Sequence, residues 1–207
     1  MKITGLLLLL SLVTFTSIAQ NNAPLKENLE LIIEDAQFAQ LIGNYQEAIA
    51  NYKEYLSYQD NAEVFLYLSQ ALYDTGNIHK ALDNINKSIK LNSSNDLAYY
   101  TRANILVDLG NTYSAINDYT AAILLNPNDM YSYMQRAFAF SEIGFEQEAI
   151  RDFAIAIQIS PTDAKAYFNM ASVSVFYKEN NKVCAMLPAL AANDNRHAEL
   201  VLRTFCI

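Results

Sequence analysis

Polar and apolar positions along the chain fall into a register that recurs about every 34 residues. Glycine marks it most plainly, with Gly43, Gly76, Gly110 and Gly144 spaced by 33, 34 and 34 residues. Five residues after each comes an alanine followed by an aliphatic residue: Ala48-Ile49, Ala81-Leu82, Ala115-Ile116 and Ala149-Ile150. Four residues beyond each alanine stands a large side chain, Tyr52, Ile85, Tyr119 or Phe153. Ahead of the glycines runs a second small set, Ala36, Ser69, Ala103 and Ala137, with Ala171 in a last copy that lacks its glycine. The pattern predicts paired helices, the first of each pair ending at the glycine, where a left-handed backbone meets no Cβ clash. Small residues let the two helices approach, and large ones fill the space between them. First helices are expected near 27–41, 62–74, 96–109, 130–143 and 164–177. Second helices are expected near 45–57, 78–91, 112–125 and 146–159, with a shorter one starting near 181 and disturbed by Pro188. Asn126-Pro127 and Ser160-Pro161 stop two of them, because proline has no N–H and restrains the residue before it.

The first residues stand outside that register. Lys2 supplies a positive start, a mostly apolar stretch runs from Ile3 to Phe15, and Ser17-Ile18-Ala19 precedes Gln20. This is the layout of a secretory signal peptide cleaved after Ala19. A membrane anchor is the competing reading, but the run is shorter than the roughly 20 residues a spanning helix needs. The expectation is an exported protein, periplasmic or extracellular, with 1–19 as leader and 20–28 as lead-in. No other stretch is apolar enough to span a membrane.

Composition narrows the class. A chain of 207 residues suits one domain or one continuous array. Its formal charge is −8, from 14 basic and 22 acidic residues, and loss of Lys2 with the leader makes it more negative still. That balance argues against nucleic acid, whose phosphates need a basic stripe. Five glycines and four prolines are too few for an all-β fold rich in tight turns, and 24 tyrosines and phenylalanines are too many for disorder.

The recurring pattern resembles the tetratricopeptide (TPR) repeat, whose template combines a glycine-ended first helix, an alanine and aromatic four apart, and a closing proline. Repeat three fits through Tyr99, Arg102, Ala103, Leu106, Ala115, Tyr119 and Pro127, and repeat four through Tyr133, Arg136, Ala137, Phe140, Ala149, Phe153 and Pro161. Repeat two carries Phe65, Leu68, Ser69, Leu72, Ala81 and Ile85; repeat one is weaker, and repeat five begins at Tyr167, Met170 and Ala171. The resemblance implies an all-α, right-handed α-solenoid of about four to five repeats. Their expected extents are 29–61, 62–95, 96–129, 130–163 and 164–193, with a capping helix in 194–207. Each pair stacks on the next because a single pair cannot cover its own apolar face.

Two features mark the interior and the end of the array. Arg102 and Asp118 occupy the same slots in repeat three that Arg136 and Asp152 occupy in repeat four, while repeat five has Met170 and Met186 there. Arginine and aspartate thus come together, which predicts partly buried ion pairs joining the two helices of a repeat. Cys184 and Cys206 are the two cysteines, and an exported compartment permits a disulfide. The alternative is a redox site, although no Cys-x-x-Cys is present. The run Val183-Cys184-Ala185 followed by a terminal Phe-Cys is similar to the tails of some exported bacterial TPR proteins. That likeness implies a Cys184–Cys206 bridge pinning an amphipathic cap whose apolar face is Ala198, Val201, Leu202 and Phe205.

Chemistry is sparse. His79 and His197 lie at opposite ends of the array, neither with a metal-ligand partner at helical spacing, and no phosphate loop or nucleophile motif occurs. The expectation is no enzyme, no cofactor and no metal. What remains is a surface. In TPR arrays positions 2, 5, 9 and 12 of each first helix line a concave groove. The resemblance carries these onto Glu63, Leu66, Gln70 and Tyr73 in repeat two, and onto Leu97, Tyr100, Asn104 and Val107 in repeat three. Repeat four supplies Tyr131, Met134, Phe138 and Ser141, and repeat five Lys165, Phe168, Ser172 and Val175. Chaperone-binding relatives grip a carboxylate with lysine, asparagine and arginine. Here Ile33, Gln37, Tyr67, Leu97 and Thr101 stand at those positions. An apolar-aromatic groove with the amides of Gln70 and Asn104 suits a peptide or protein segment. Some of these side chains could instead pack between neighbouring first helices. Two functions follow, an interaction scaffold holding a protein or peptide, or a self-associating subunit of an envelope complex.

Overall fold

The computed structural model describes residues 26–176, 183–185, 187–188 and 196–206, so the expected leader and Met186 lie outside the described residues. Every regular element among them is helical. Helix α1 covers residues 26–41. It is followed by α2 (Tyr45–Tyr58), α3 (Ala62–Asp74), α4 (Ile78–Leu91), α5 (Asp96–Asp108) and α6 (Thr112–Leu125). Then come α7 (Met130–Glu142), α8 (Glu146–Ile159) and α9 (Ala164–Phe176). Residues 183–185 and 187–188 are helical, and a C-terminal helix runs Arg196–Phe205. Packing is strongest within the pairs α3/α4, α5/α6 and α7/α8, and each second helix also packs on the next first helix. Contacts of α3 with α5 and of α5 with α7 put the first helices on the inner side of an α-solenoid.

Each helix pair turns in the same way. The four glycines take φ of 73° to 79°, the left-handed region that a Cβ penalises. The amide of the next residue returns to the carbonyl five residues back, from Asn77 to Leu72 and from Asn111 to Leu106 at 2.8 Å, and from Phe145 to Phe140 at 2.9 Å. This closure satisfies carbonyls that the helix end would orphan. A second device, which the glycine register did not foretell, starts the first helices. The side chains of Asn61, Asn95, Asp129 and Asp163 accept amide hydrogens from the first turns of α3, α5, α7 and α9. Those capping oxygens also recur every 34 residues.

The small residues sit at the helix crossings. Ala36, Ser69, Ala103, Ala137 and Ala171 are fully buried, as are Ala48, Ala81, Ala115 and Ala149 from the facing helices. Ser69 serves as an alanine with a tether, because its hydroxyl donates to the Ala81 carbonyl at 2.8 Å. Tyr52 and Tyr119, both within the core, keep their hydroxyls satisfied by donating to Gln40 Oε1 at 2.8 Å and Asn104 Oδ1 at 2.6 Å.

The arginine–aspartate pairs are formed. Arg102 donates to Asp118 through Nε at 2.6 Å and Nη2 at 2.7 Å, and Arg136 to Asp152 at 2.7 Å and 2.9 Å. Each remaining Nη1 reaches back to the preceding repeat, to Asn86 Oδ1 at 3.0 Å and to Thr120 Oγ1 at 2.9 Å. One guanidinium therefore joins three helices. At the far end a disulfide links Cys184 to Cys206, with their Cα atoms 5.6 Å apart. The C-terminal helix packs on α9 and buries Ala198 and Val201 in the last core cluster, beside Tyr167 and Met170.

Candidate partner-binding groove

The main residues expected along the concave face do not all reach it. Leu66 and Met134 are not in the groove at all. They are 2% and 8% exposed and belong to the hydrophobic clusters. The physical reason is the contact between successive first helices, which closes over position 5 of the repeat when an aliphatic residue fills it. Gln70 is half-buried and donates to Thr101 Oγ1 at 3.3 Å, so it ties α3 to α5. Lys165 and Phe168 are exposed on α9, away from the hollows described next.

Seven others, Val107 among them, line two hollows. Tyr73, Asn104 and Phe138 surround one of about 460 Å³, between α3, α5 and α7. Leu97, Tyr100 and Tyr131 surround another of about 400 Å³, near the starts of α5 and α7. Phe138 stands edge-on to the buried Phe153, with ring centres 5.2 Å apart, and remains 41% exposed. Tyr131 is more open still, at 59%. Tyr100 leans on Tyr119 with ring centres 6.0 Å apart, which fixes it against the groove floor.

The first hollow also holds side chains that the TPR positions do not nominate: Asp108, Gln135 and Glu142. Asp108 and Glu142 share a slot with Asp74, the last residue of each first helix, at a spacing of 34. That period is the signal by which they could have been found. Tyr73 donates to Asp108 Oδ2 at 2.6 Å, and Thr112 Oγ1 donates to Glu142 Oε2 at 3.1 Å. Burial and the Asp108 bond push the Tyr73 hydroxyl up to about 12. Burial, followed by the field of Tyr100, Tyr73 and Asp108, raises Tyr119 as well. Both phenols therefore stay neutral donors at ordinary pH. The second hollow adds Asp96, Asn126 and Asp129, with Asn126 Nδ2 donating to Asp96 Oδ2 at 2.9 Å. The groove is thus aromatic and acidic, where the sequence predicted apolar-aromatic.

Among the described residues no group of histidine, cysteine, aspartate and glutamate could hold a metal ion, and no helix is long and apolar enough to cross a membrane. His79 is exposed on α4, and His197 faces the Tyr167 ring at the C-terminal end.

Comparison with known proteins agrees with this architecture. The profile of the anaphase-promoting complex, cyclosome, subunit 3 family matches residues 42–122. No curated protein sequence matches the chain. Among solved structures it is similar to MamA, with a TM-score of 0.72 and 20% identity over 84% of this chain and 96% of that one. It is similar to YrrB, described as a TPR protein with an unusual peptide-binding site, with a TM-score of 0.66 and 21% identity over 91% and 97%. It is also similar to a tetratricopeptide repeat protein from Parabacteroides merdae, with a TM-score of 0.68 and 16% identity over 86% and 73%. At these identities the likeness concerns the fold.

Proposed function

We propose that this chain, whose fold is that of tetratricopeptide-repeat proteins, is an exported, non-enzymatic scaffold that holds a peptide or protein segment along its concave face. One observation carries this: hollows of about 460 and 400 Å³ lie along the first helices, with Phe138 and Tyr131 left open to solvent beside them. Exposed aromatics next to hydrogen-bonding amides and hydroxyls suit an extended segment, whose backbone needs polar partners and whose side chains need apolar contact. YrrB, a protein of similar fold, is described as having an unusual peptide-binding site, which supports this reading. Export rests on the leader layout of residues 1–19.

The test is affinity capture from an envelope extract of the organism, beside a Tyr131→Ala/Phe138→Ala variant with an unchanged circular dichroism spectrum. A partner recovered by the native chain and lost by the variant supports the groove. A partner held equally by both moves the site elsewhere. A second function, self-association, is favoured by α1 and the turn after it, where Leu31, Phe38, Leu41 and Ile42 are each more than half exposed. Sedimentation separates the two, since a mass that grows with concentration belongs to the second.

A further inference from the structure

We propose that the concave groove selects a partner segment of one charge, an extended stretch bearing lysine or arginine between small apolar residues. This rests on the groove-binding function above and specifies its partner. Around the hollow between α3, α5 and α7 the charge of the concave face is of one sign, Lys165 lying beyond it on α9. Those three helices carry two cations, Arg102 and Arg136, and both are bound in two-point contacts by Asp118 and Asp152 on the second helices. Every other charge on them is a carboxylate: Glu63, Asp74, Asp96, Asp108 and Glu142. The basic residues of the second helices, among them Lys53, Lys80, Lys90 and Arg151, are exposed on the outer layer. The second helices also carry exposed carboxylates, among them Glu47, Glu54 and Asp83, so their charge is mixed, whereas on α3, α5 and α7 both cations are paired and the remaining charge is negative.

The groove carboxylates are oriented without being neutralised. Asp108 accepts from the Tyr73 phenol, Glu142 from the Thr112 hydroxyl and Asp96 from the Asn126 amide, all uncharged donors. Each bond fixes one oxygen and leaves the negative charge uncompensated. Asp108 and Glu142 enter the same hollow as the exposed ring of Phe138. A guanidinium or ammonium placed there meets two carboxylates and an aromatic ring, the surroundings that favour a cation over a neutral or acidic side chain. The walls of the hollow focus that field, and an acidic segment would meet uniform repulsion.

The experiment measures fluorescence anisotropy of the native chain with three pools of labelled short peptides. The pools are randomised in alanine, leucine, serine and tyrosine, and carry fixed arginine, glutamine or glutamate at the same two positions. The arginine pool is expected to bind about tenfold tighter than the glutamine pool, the scale of one charge-assisted hydrogen bond. The preference should shrink toward 1 M salt, where the screening length is about 3 Å. It should also shrink in Asp108→Asn/Glu142→Gln, which keeps both hydrogen-bond acceptors. Glutamine or glutamate pools that bind as tightly as arginine would overturn the charge preference while leaving groove binding in place. Arginine binding that persists unchanged in the double variant would overturn the assignment to this hollow. No binding by any pool would overturn both. The pool comparison uses the native chain, so it stands even if the double variant fails to fold.

Discussion

Replacing Arg136 by methionine tests the packing logic of the array most directly. Its guanidinium makes two bonds to Asp152, a third to Thr120, and stacks over the rings of Tyr133 and Phe140 at 5.6 and 5.8 Å. Asp152 is the critical partner, because its side chain is only 5% exposed. Methionine fills much of the same space against the rings but strands that carboxylate in a dry helix crossing. Removing one member of a buried pair costs about 3–5 kcal/mol. Arg102→Met should cost less, because its pair is more open, at 24% and 10% against 15% and 5%. The double variant Arg136→Met/Asp152→Met places in repeat four the residues that repeat five has in those slots, Met170 and Met186. It should recover most of the loss, since an apolar pair of similar volume often replaces a buried ion pair at little cost. The assay is urea unfolding followed by far-ultraviolet circular dichroism, with the single variant Asp152→Met added so that Arg136→Met, Asp152→Met and the double variant close a double-mutant cycle. Arg136→Met within about 0.5 kcal/mol of the native chain would refute the stranded-charge reasoning. A double variant as weak as the single one would assign the loss to the aromatic stacking instead.

Three further outcomes follow from the same structure. Reducing the Cys184–Cys206 bridge, which spans 22 residues of sequence, should destabilise the C-terminal cap by about 3 kcal/mol on a loop-closure estimate; hydrogen exchange should rise in the C-terminal helix and not in α2–α4, and uniform acceleration would contradict a local cap. Gly110→Ala should cost about 1–2 kcal/mol through backbone strain alone, because φ is +73° and no atom lies within 4 Å of the added Cβ; an unchanged urea midpoint would refute it. Stability should also fall as pH rises above about 10: burial pushes Tyr52 and Tyr73 up to about 12 and raises Tyr119, so the stabilisation is complete below the unfolded value near 10 and lost through the folded one. Equal urea midpoints at pH 8 and pH 11 would contradict that.

The parts of the fold legible in the sequence are those where packing leaves no choice of residue. A crossing that admits only a small side chain repeats as Ala48, Ala81, Ala115 and Ala149, and a left-handed turn repeats as glycine, so their period survives every other change. The helix-starting caps were harder to see, because asparagine and aspartate serve equally and the motif changes its spelling from Asn61 to Asp163. The groove was legible only in part. Position 5 of the repeat holds Leu66, Tyr100, Met134 and Phe168, two buried and two not, because the side chain and the neighbouring first helix together decide whether it faces inward or outward. Asp108 and Glu142 look like any solvated helix end until the curvature of the array brings them into one hollow with Phe138.

The same division explains why the charge of the groove is more one-sided than the net charge suggests. Burial forces a cation inside the array to take an anionic partner, and Arg102 and Arg136 meet that requirement by drawing on Asp118 and Asp152 from the outer helices. This removes the positive charges of α5 and α7 from the concave face and leaves the carboxylates of those helices behind. Those carboxylates meet no such demand, because solvent reaches them and neutral donors satisfy their geometry. Repeat architecture then multiplies the result, since whatever one first helix presents at its end, the next presents beside it. Asp108 and Glu142 are such neighbours, and a partner in the hollow would meet both. The structural ion pairs and the recognition surface are therefore linked: pairing Arg102 and Arg136 internally stabilises the repeats and also sets the sign of the groove.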